Sequence, residues 1–419
     1  MAWEELFSSP LVLNRLGDGP LDSQLDGYYH WLNELGFSRE SIRNHISRLS
    51  HFSRYLKQLG IHYSNLNSEH IRGFLTDYLP RCRSRRPGKK QHCGVASSVN
   101  RFMEYLHEYN LVEPPSNSPP YQSLLNEYTS WLQDYHNSAP GTVLLRRQYL
   151  TRFLNWLGAD WKPDKLSILS PNQIQSFFLE DSRHYGPSGR RSLQAALRTF
   201  FRFCFSQDYI ERDLSQAVPT LRTYKLDRLP RGITDEETQL ILSNINRQTE
   251  IGRRDYAIIQ ILYTYGIRGG QVRALRLDDI DWTQSLIRFA PLKHGKEVLQ
   301  PLTDEVGTSI LDYLQNSRPK TKYPHVFLTI YAPHRPLRYA TTLTAIIRRN
   351  IRGAGITSPA AGSHVFRHCF ASRMLKQGHS LKSIADMIGH RCIHTTFIYT
   401  KVDFQALNPV ALEWPEEAT

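Results

Sequence analysis

No run of this chain is apolar over anything like the length of a membrane-spanning helix, and the opening, MAWEELFSSP, carries Glu4 and Glu5 where a secretory signal needs basic residues. A spanning or exported protein is therefore not expected, and the chain reads as cytoplasmic. Cysteine is also scarce: Cys82, Cys93, Cys204, Cys369 and Cys392 are odd in number, scattered, and form no CxxC pair. That excludes a disulfide framework and a zinc knuckle and leaves reduced thiols. Acidic residues fall short too, 39 against 52 Lys and Arg, for a formal charge of +13. Such an excess points to a polyanionic partner, and without a membrane signal nucleic acid is the expected one.

What is present is ordinary globular sequence, 40% hydrophobic and 11% aromatic, and 419 residues allow two or three domains with separate cores. The front half repeats itself. YYHWL at Tyr28 to Leu32 is echoed by YTSWL at Tyr128 to Leu132, and FSRYL at Phe52 to Leu56 by FLNWL at Phe153 to Leu157. LNSEHIRGF, with Leu66, Ile71 and Phe74, is echoed by LSPNQIQSF, with Leu169, Ile174 and Phe177. FMEY at Phe102 is echoed by FFRF at Phe200, its offset shortened by an insertion around RCRSRRPGKK in the first copy. Each block has apolar residues three and four apart, so each copy is expected to be a bundle of about four amphipathic helices. Convergence among amphipathic helices is the bland alternative; four blocks in one order favour duplication.

Proline and polarity set the boundaries. VEPPSNSPP, Val112 to Pro120, cannot continue a helix, and AVPTLRTYKLDRLPRG, Ala217 to Gly232, is basic and bounded by prolines. The expected domains are 1–112, 121–217 and 233–419, with linkers 113–120 and 218–232. Thr234 and Glu237 supply a capping box that opens the third. That domain is expected to be mostly helical with a small antiparallel sheet: two helices break near Gly266, and SLIRFAPLKHGKEVLQPL alternates like a hairpin turning at Lys293, His294 and Gly295. Six of the ten residues in RCRSRRPGKK are basic, namely Arg81, Arg83, Arg85, Arg86, Lys89 and Lys90. Together with Arg190 and Arg191 they are candidates for phosphate contact, although most charge runs are simply solvated. Neither copy carries a helix-turn-helix or zinc signature to place base readout.

Three clusters in the last domain carry chemistry: Arg268 after Gly266, His364 and Arg367 in HVFRH, and His390 with Tyr399 in GHRCIHTTFIYT. With Lys293 at the hairpin tip they make a phosphate site. Guanidinium groups fork onto non-bridging oxygens, a phenol beside cations can be deprotonated as it attacks, and a histidine and a lysine can move protons. Such a site calls for no metal, because the arginines neutralise charge at phosphorus. Taken singly, Arg268 reads as a surface ion-pair partner and Tyr399 as a half-buried aromatic. His364 and His368, four apart, lack a third metal ligand at a recognised spacing.

In order and spacing, GIRGGQVRALRLDDID, LKHGK, HVFRH and IGHRCIHTTFIYT resemble the catalytic boxes of tyrosine recombinases, the phage-integrase and Xer-type group. The match runs from about Thr234 to Thr400, and the stretch from Tyr121 to Pro219 is similar in layout to that family's helical core-binding domain, a SAM-like fold. The resemblance implies that Arg268 and Arg367 grip the scissile phosphate, Lys293 is the general acid, His364 accepts a proton, His390 donates a hydrogen bond to the phosphate, and Tyr399 is the nucleophile. It also implies a 3′-phosphotyrosyl intermediate, no cofactor, double-stranded DNA with inverted-repeat-like sites as substrate, and a homotetramer in synapsis. The same resemblance implies accessory factors or other recombinases as further partners of the assembly, and integration, excision or transposition of a mobile element as the expected task. Three features depart from the pattern. Gln271 stands where an acidic residue is usual, Lys296 competes with Lys293, and the first helical copy is additional, implying a longer DNA footprint or a protein contact. The tail beyond Tyr399, with Leu407, Val410, Leu412 and Trp414, can dock on its own domain or on a neighbouring subunit. Type IB topoisomerases use a similar tyrosine site, and a DNA-binding regulator could retain the fold. The Gly-His box argues against the first and the complete residue set against the second.

Overall fold

The structure is a computed structural model that describes residues 2–81, 89–112, 119–158, 161–221, 232–291, 297–358 and 362–389. The expected tip of the hairpin with Lys293 and Lys296, the segment carrying His390 and Tyr399, the tail, and most of both linkers lie outside the described residues. Two compact units divide the chain, one of residues 1–62, 74–109 and 226–419, the other of 63–73 and 110–225.

The front helices are α1 (Pro10–Gly17), α2 (Asp22–Glu34), α3 (Arg39–Leu59), α4 (Ser68–Gly73) and α5 (Lys89–Glu108). Helix α3 shows why this stretch is helical. Ser38 caps it by accepting from the Ser41 N–H, Gly60 ends it in the left-handed conformation (φ +64°), and Ile42, Ile46, Leu49, Phe52 and Leu56 form a buried stripe at helical spacing. A single π-type turn, Phe74–Tyr78, brings Phe74 against Phe52 at 4.9 Å between ring centroids.

The second unit holds α6 (Gln122–Asp134), α7 (Pro140–Leu157), α8 (Pro171–Ser182) and α9 (Pro187–Ser206) around a core reaching from Tyr121 to Val218. Its α8 opens with a capping box between Ser170 and Gln173 and a proline at the first helical position, where the missing N–H costs nothing.

At the echoed positions the ring geometry recurs. Tyr28 stacks on Trp31 at 6.0 Å and meets Phe102 edge-on at 5.1 Å; Tyr128 stacks on Trp131 at 6.2 Å and meets Phe200 edge-on at 5.5 Å. Phe52 and Phe74 are tilted 58° at 4.9 Å, and Phe153 and Phe177 are tilted 59° at 5.0 Å. Quadrupoles favour such edge-on and offset pairs generally, yet the sharing of partners between the two sets goes beyond that preference.

The last part contains α10 (Asp235–Asn244), α11 (Glu250–Tyr265), α12 (Gly269–Ala274), β1 (Ile280–Asp281), β2 (Leu286–Phe289), β3 (Val298–Pro301), α13 (Asp304–Asn316), α14 (Ala340–Gly353), α15 (His364–Lys376) and α16 (Leu381–Met387). The strands form one antiparallel sheet in the order β1-β2-β3, with Ile287 opposite Gln300 and Phe289 opposite Val298. Helix α11 runs through the middle of this core, so Ala257, Ile258, Ile259, Ile261 and Leu262 are all fully buried. The capping box of Thr234 and Glu237 starts α10 as expected. Arg373 ties α15 to α11 and α10: it donates to the Tyr263 carbonyl, lies over the Tyr263 ring at 4.2 Å, and pairs with Asp235 at 3.1 Å. Among the described residues, no helix is long and apolar enough to cross a membrane.

Candidate active site

The site is built where α11 stops. Gly266 ends that helix with φ +56°, and a Cβ there would lie 2.6 Å from the Phe370 ring of α15, so both backbone and packing call for glycine. The reversal turns Gly266 O toward α15, where Arg367 Nη1 donates to it at 2.9 Å. Arg367 is 3% exposed, and a fully charged guanidinium so deep in protein needs such carbonyl acceptors to offset lost hydration.

Two residues later, Arg268 precedes α12, and Gly269 allows close approach there. A Cβ on Gly269 would meet Ser363 Oγ at 2.4 Å and Leu343 Cδ2 at 2.6 Å. Arg268 reaches in the other direction, and its Nη1 donates to the Gly389 carbonyl at 3.0 Å. Gly389 follows α16 with φ +66° and immediately precedes His390 in the sequence. A Cβ on Gly389 would come within 3.3 Å of Val298 Cγ2, so the first residue of β3 abuts the same point.

Gln271 closes the arrangement. It is 3% exposed, its Oε1 accepts from the Arg268 N–H at 3.1 Å, and its Nε2 donates to the Ala290 carbonyl directly after β2 at 3.2 Å. Arg268, the base of the β2–β3 hairpin and Gly389 are thus joined by direct contacts, and the Gly266–Arg367 pair lies two residues away along the chain from Arg268.

His364 is the first residue of α15 and is exposed. Its pKa is lowered, first because surrounding protein removes water from the ring, then through the charges of Arg367 and Arg268. This shift favours the neutral imidazole, the form able to accept a proton. Its neighbour His368 is depressed further, to about 4, by burial, by His364 and by Arg367.

Of the expected site residues, Arg268, His364 and Arg367 come together; Lys293, His390 and Tyr399 lie outside the described residues. Of the proposed DNA contacts, Arg81 is exposed after Leu79, Arg83, Arg85 and Arg86 are outside the described residues, and Lys89 and Lys90 begin α5. Arg190 and Arg191 are exposed in the first turns of α9, and Arg190 Nε donates to the carbonyls of Ser182 and Tyr185, both at 3.0 Å. The carbonyls of Gly266 and Gly389 hold the two arginines, and a backbone acceptor has almost no mark in the sequence. Its one signal is a glycine placed one or two residues before a functional side chain. Among the described residues, no group of three or more His, Cys, Asp or Glu could hold a metal ion.

Two arginines held by backbone carbonyls, with a histidine of lowered pKa beside them, make an arrangement able to bind a phosphate group. The Phage integrase family model matches residues 231–406. The chain belongs to that family, the tyrosine-type site-specific recombinases that act on DNA. A Sinorhizobium fredii protein named as an integrase/recombinase (y4rA) is 34% identical over 415 residues, 98% of each chain. The tyrosine recombinase XerD of Lacticaseibacillus casei is 28% identical over 291 residues, 68% of this chain and 95% of that one. The fold is shared with XerH recombinase bound to its palindromic difH substrate, at TM-score 0.53 and 16% identity over 83% of this chain and 95% of that one. It is shared as well with a lambda integrase dimer bound to a core site, at TM-score 0.53 and 15% identity over 71% of this chain and 98% of that one.

Proposed function

We propose that this recombinase cuts and rejoins DNA through a 3′-phosphotyrosyl link made by Tyr399. The phenol oxygen attacks the phosphorus and its proton passes to His364. The bond from phosphorus to the 5′ oxygen breaks, and Lys293 gives that oxygen a proton. Arg268, Arg367 and His390 hold the non-bridging oxygens, whose charge grows in the transition state. A 5′-hydroxyl from another strand then attacks the phosphotyrosine, the 3′–5′ bond re-forms, and Tyr399 leaves protonated. The bond energy stays in the protein–DNA link throughout, so no nucleotide is consumed.

The observation that carries this reading is the pair of carbonyl-held arginines, Arg367 on Gly266 and Arg268 on Gly389, beside a His364 whose pKa is lowered. A general base shifted toward its neutral form suits proton removal from tyrosine, and a fixed cationic pair suits a phosphate.

The domain reading is part of the same proposal. Residues 1–112 and 121–217 act as tandem, duplicated helical domains, and 233–419 as the catalytic domain. The matched ring geometries at Tyr28 and Tyr128 support this. The working assembly is a tetramer on inverted-repeat-like sites, and the task is movement of a mobile element inside the cytoplasm.

The test is to mix the protein with nicked duplexes of randomised sequence and look for denaturant-resistant protein on DNA 3′ ends, with Tyr399→Phe alongside. Adducts absent from the variant establish the nucleophile, and sequencing them gives the site. Equal adducts from the variant would overturn the assignment. Deleting residues 1–120 should shorten the footprint if the first copy contacts DNA; an unshortened footprint with lost synapsis assigns that copy to protein contact.

A further inference from the structure

The start of α12 and the segment that leaves β2 meet at a single buried amide. Gln271 accepts from the Arg268 N–H at 3.1 Å and donates to the Ala290 carbonyl at 3.2 Å, with 3% of its surface exposed. These backbone groups are fixed in their roles, one a donor and the other an acceptor. Only a side chain offering both an acceptor and a donor at that length satisfies the pair, and an amide does so without charge. A carboxylate could take the first bond but would set an anionic oxygen against the Ala290 carbonyl, where it is both repelled and stripped of water.

The placement gives this bridge its consequence. On one side the N–H belongs to Arg268, whose guanidinium is held by Gly389. On the other, Ala290 directly follows β2 and stands three residues before Lys293 in the sequence. The opposite strand also abuts Gly389, through Val298. Gln271 therefore links the arginine to the base of the hairpin by hydrogen bonds at both ends.

We propose that Gln271 is a positioning residue, a neutral clasp that fixes the hairpin base against Arg268, and that in this chain the amide performs better here than a carboxylate. The consequence for cleavage rests on the catalytic roles given above, whereas the clasp itself can be tested without DNA.

The first measurement is thermal unfolding of the full chain and of Gln271→Glu between pH 5 and pH 8. Burial and the facing Ala290 carbonyl are expected to raise the pKa of a carboxyl here, against the Arg268 N–H, its guanidinium charge and the start of α12, which lower it; the protonated form can donate to Ala290 as the amide does. The gap in melting temperature should be largest at pH 8 and narrow toward pH 5. A gap that stays constant with pH, or no gap at all, would overturn the clasp. Gln271→Met, which fills the space without either bond, should show a gap that does not change with pH.

The second measurement is single-turnover cleavage on duplexes recovered by the adduct selection. Gln271→Glu should cleave about tenfold or more slowly at pH 8, with affinity for the duplex within about twofold of the parent, since small misplacements near the reacting atoms cost rate more than binding. Recovery toward pH 5.5, relative to the parent at each pH, identifies the protonated carboxyl as the working form. An unchanged rate at pH 8 alongside a pH-dependent melting gap would limit the clasp to stability and overturn its positioning role. Absence of adducts from the parent protein itself would instead count against the catalytic reading, leaving the melting result to decide the clasp.

Discussion

The Gly266 carbonyl oxygen accepts a hydrogen bond from Arg367 Nη1 at 2.9 Å, so the turn that ends α11 also anchors a buried guanidinium 101 residues further along the chain. Replacing Gly266 with alanine puts a side chain at φ +56° and drives it into the Phe370 ring. The backbone cost alone is about 1–2 kcal/mol. A melting temperature lowered by several degrees is expected, together with slower cleavage because the Arg367 acceptor moves. An alanine variant that melts and cleaves like the parent would show that the turn tolerates rearrangement.

Two half-buried histidines contribute to the loss of stability in acid. His368 and His45 are each pushed down to about 4, both by burial first; then His364 and Arg367 act on His368, and Arg101 and Arg48 on His45. The unfolded chain binds these protons near pH 6.5 and the folded one does not. Their contribution is thus complete above about pH 6.5 and is lost as pH falls toward about 4. Denaturant unfolding from pH 7 to pH 4 should show stability falling over this window, with a shallower fall in His368→Gln. For cleavage, the lowered pKa of His364 places the acid limb of the rate profile below the ordinary histidine value.

Asp255 is the hub of a buried ionic network. Its Oδ1 accepts from Arg254 Nε and Nη2 at 3.1 and 2.8 Å, and its Oδ2 from Arg349 and from Asn350 Nδ2 at 2.9 Å. Arg254 is 6% exposed, so Asp255→Ala strands its charge, with an expected loss of about 3–5 kcal/mol. Combining Asp255→Leu with Arg254→Met should recover much of that, because the desolvated pair is then gone altogether. Chemical denaturation of both variants measures the difference.

A substrate with sulfur in place of the bridging 5′ oxygen distinguishes Lys293 from Lys296. A thiolate leaves without a proton, so loss of the general acid matters little on that substrate. Lys293→Ala should cleave ordinary DNA slowly and the sulfur-bridged duplex at close to the parent rate, whereas Lys296→Ala should show no such selective rescue. The reverse pattern would transfer the role to Lys296.

Much of this was readable in residue order. Thr234 and Glu237 mark a helix start because a capping box is local chemistry, and the break at Gly266 follows from one glycine between two helical patterns. The hairpin of β2 and β3 follows from alternation. The spacing of His364 and Arg367, and of His390 and Tyr399, was enough to suggest a phosphate site, since those residue types share few other purposes. The recurrence of aromatic positions also showed in the sequence, though the matching ring contacts required coordinates.

Tertiary structure alone decided how the boxes are joined. Nothing in the sequence pairs Gly389 with Arg268 or Gly266 with Arg367, because those bonds run from side chains to backbone carbonyls, and a carbonyl carries no residue identity. Gln271 looked in the sequence like an acidic position lacking its charge; its bond to the Arg268 N–H is a local cap, and folding adds the Ala290 carbonyl, an acceptor that an amide can meet without charge. The sequence determined which chemical groups the protein has and the local turns that present them, because propensity and capping act within a few residues. Their partners were settled by packing between elements far apart in the chain, where backbone groups of any residue type can serve.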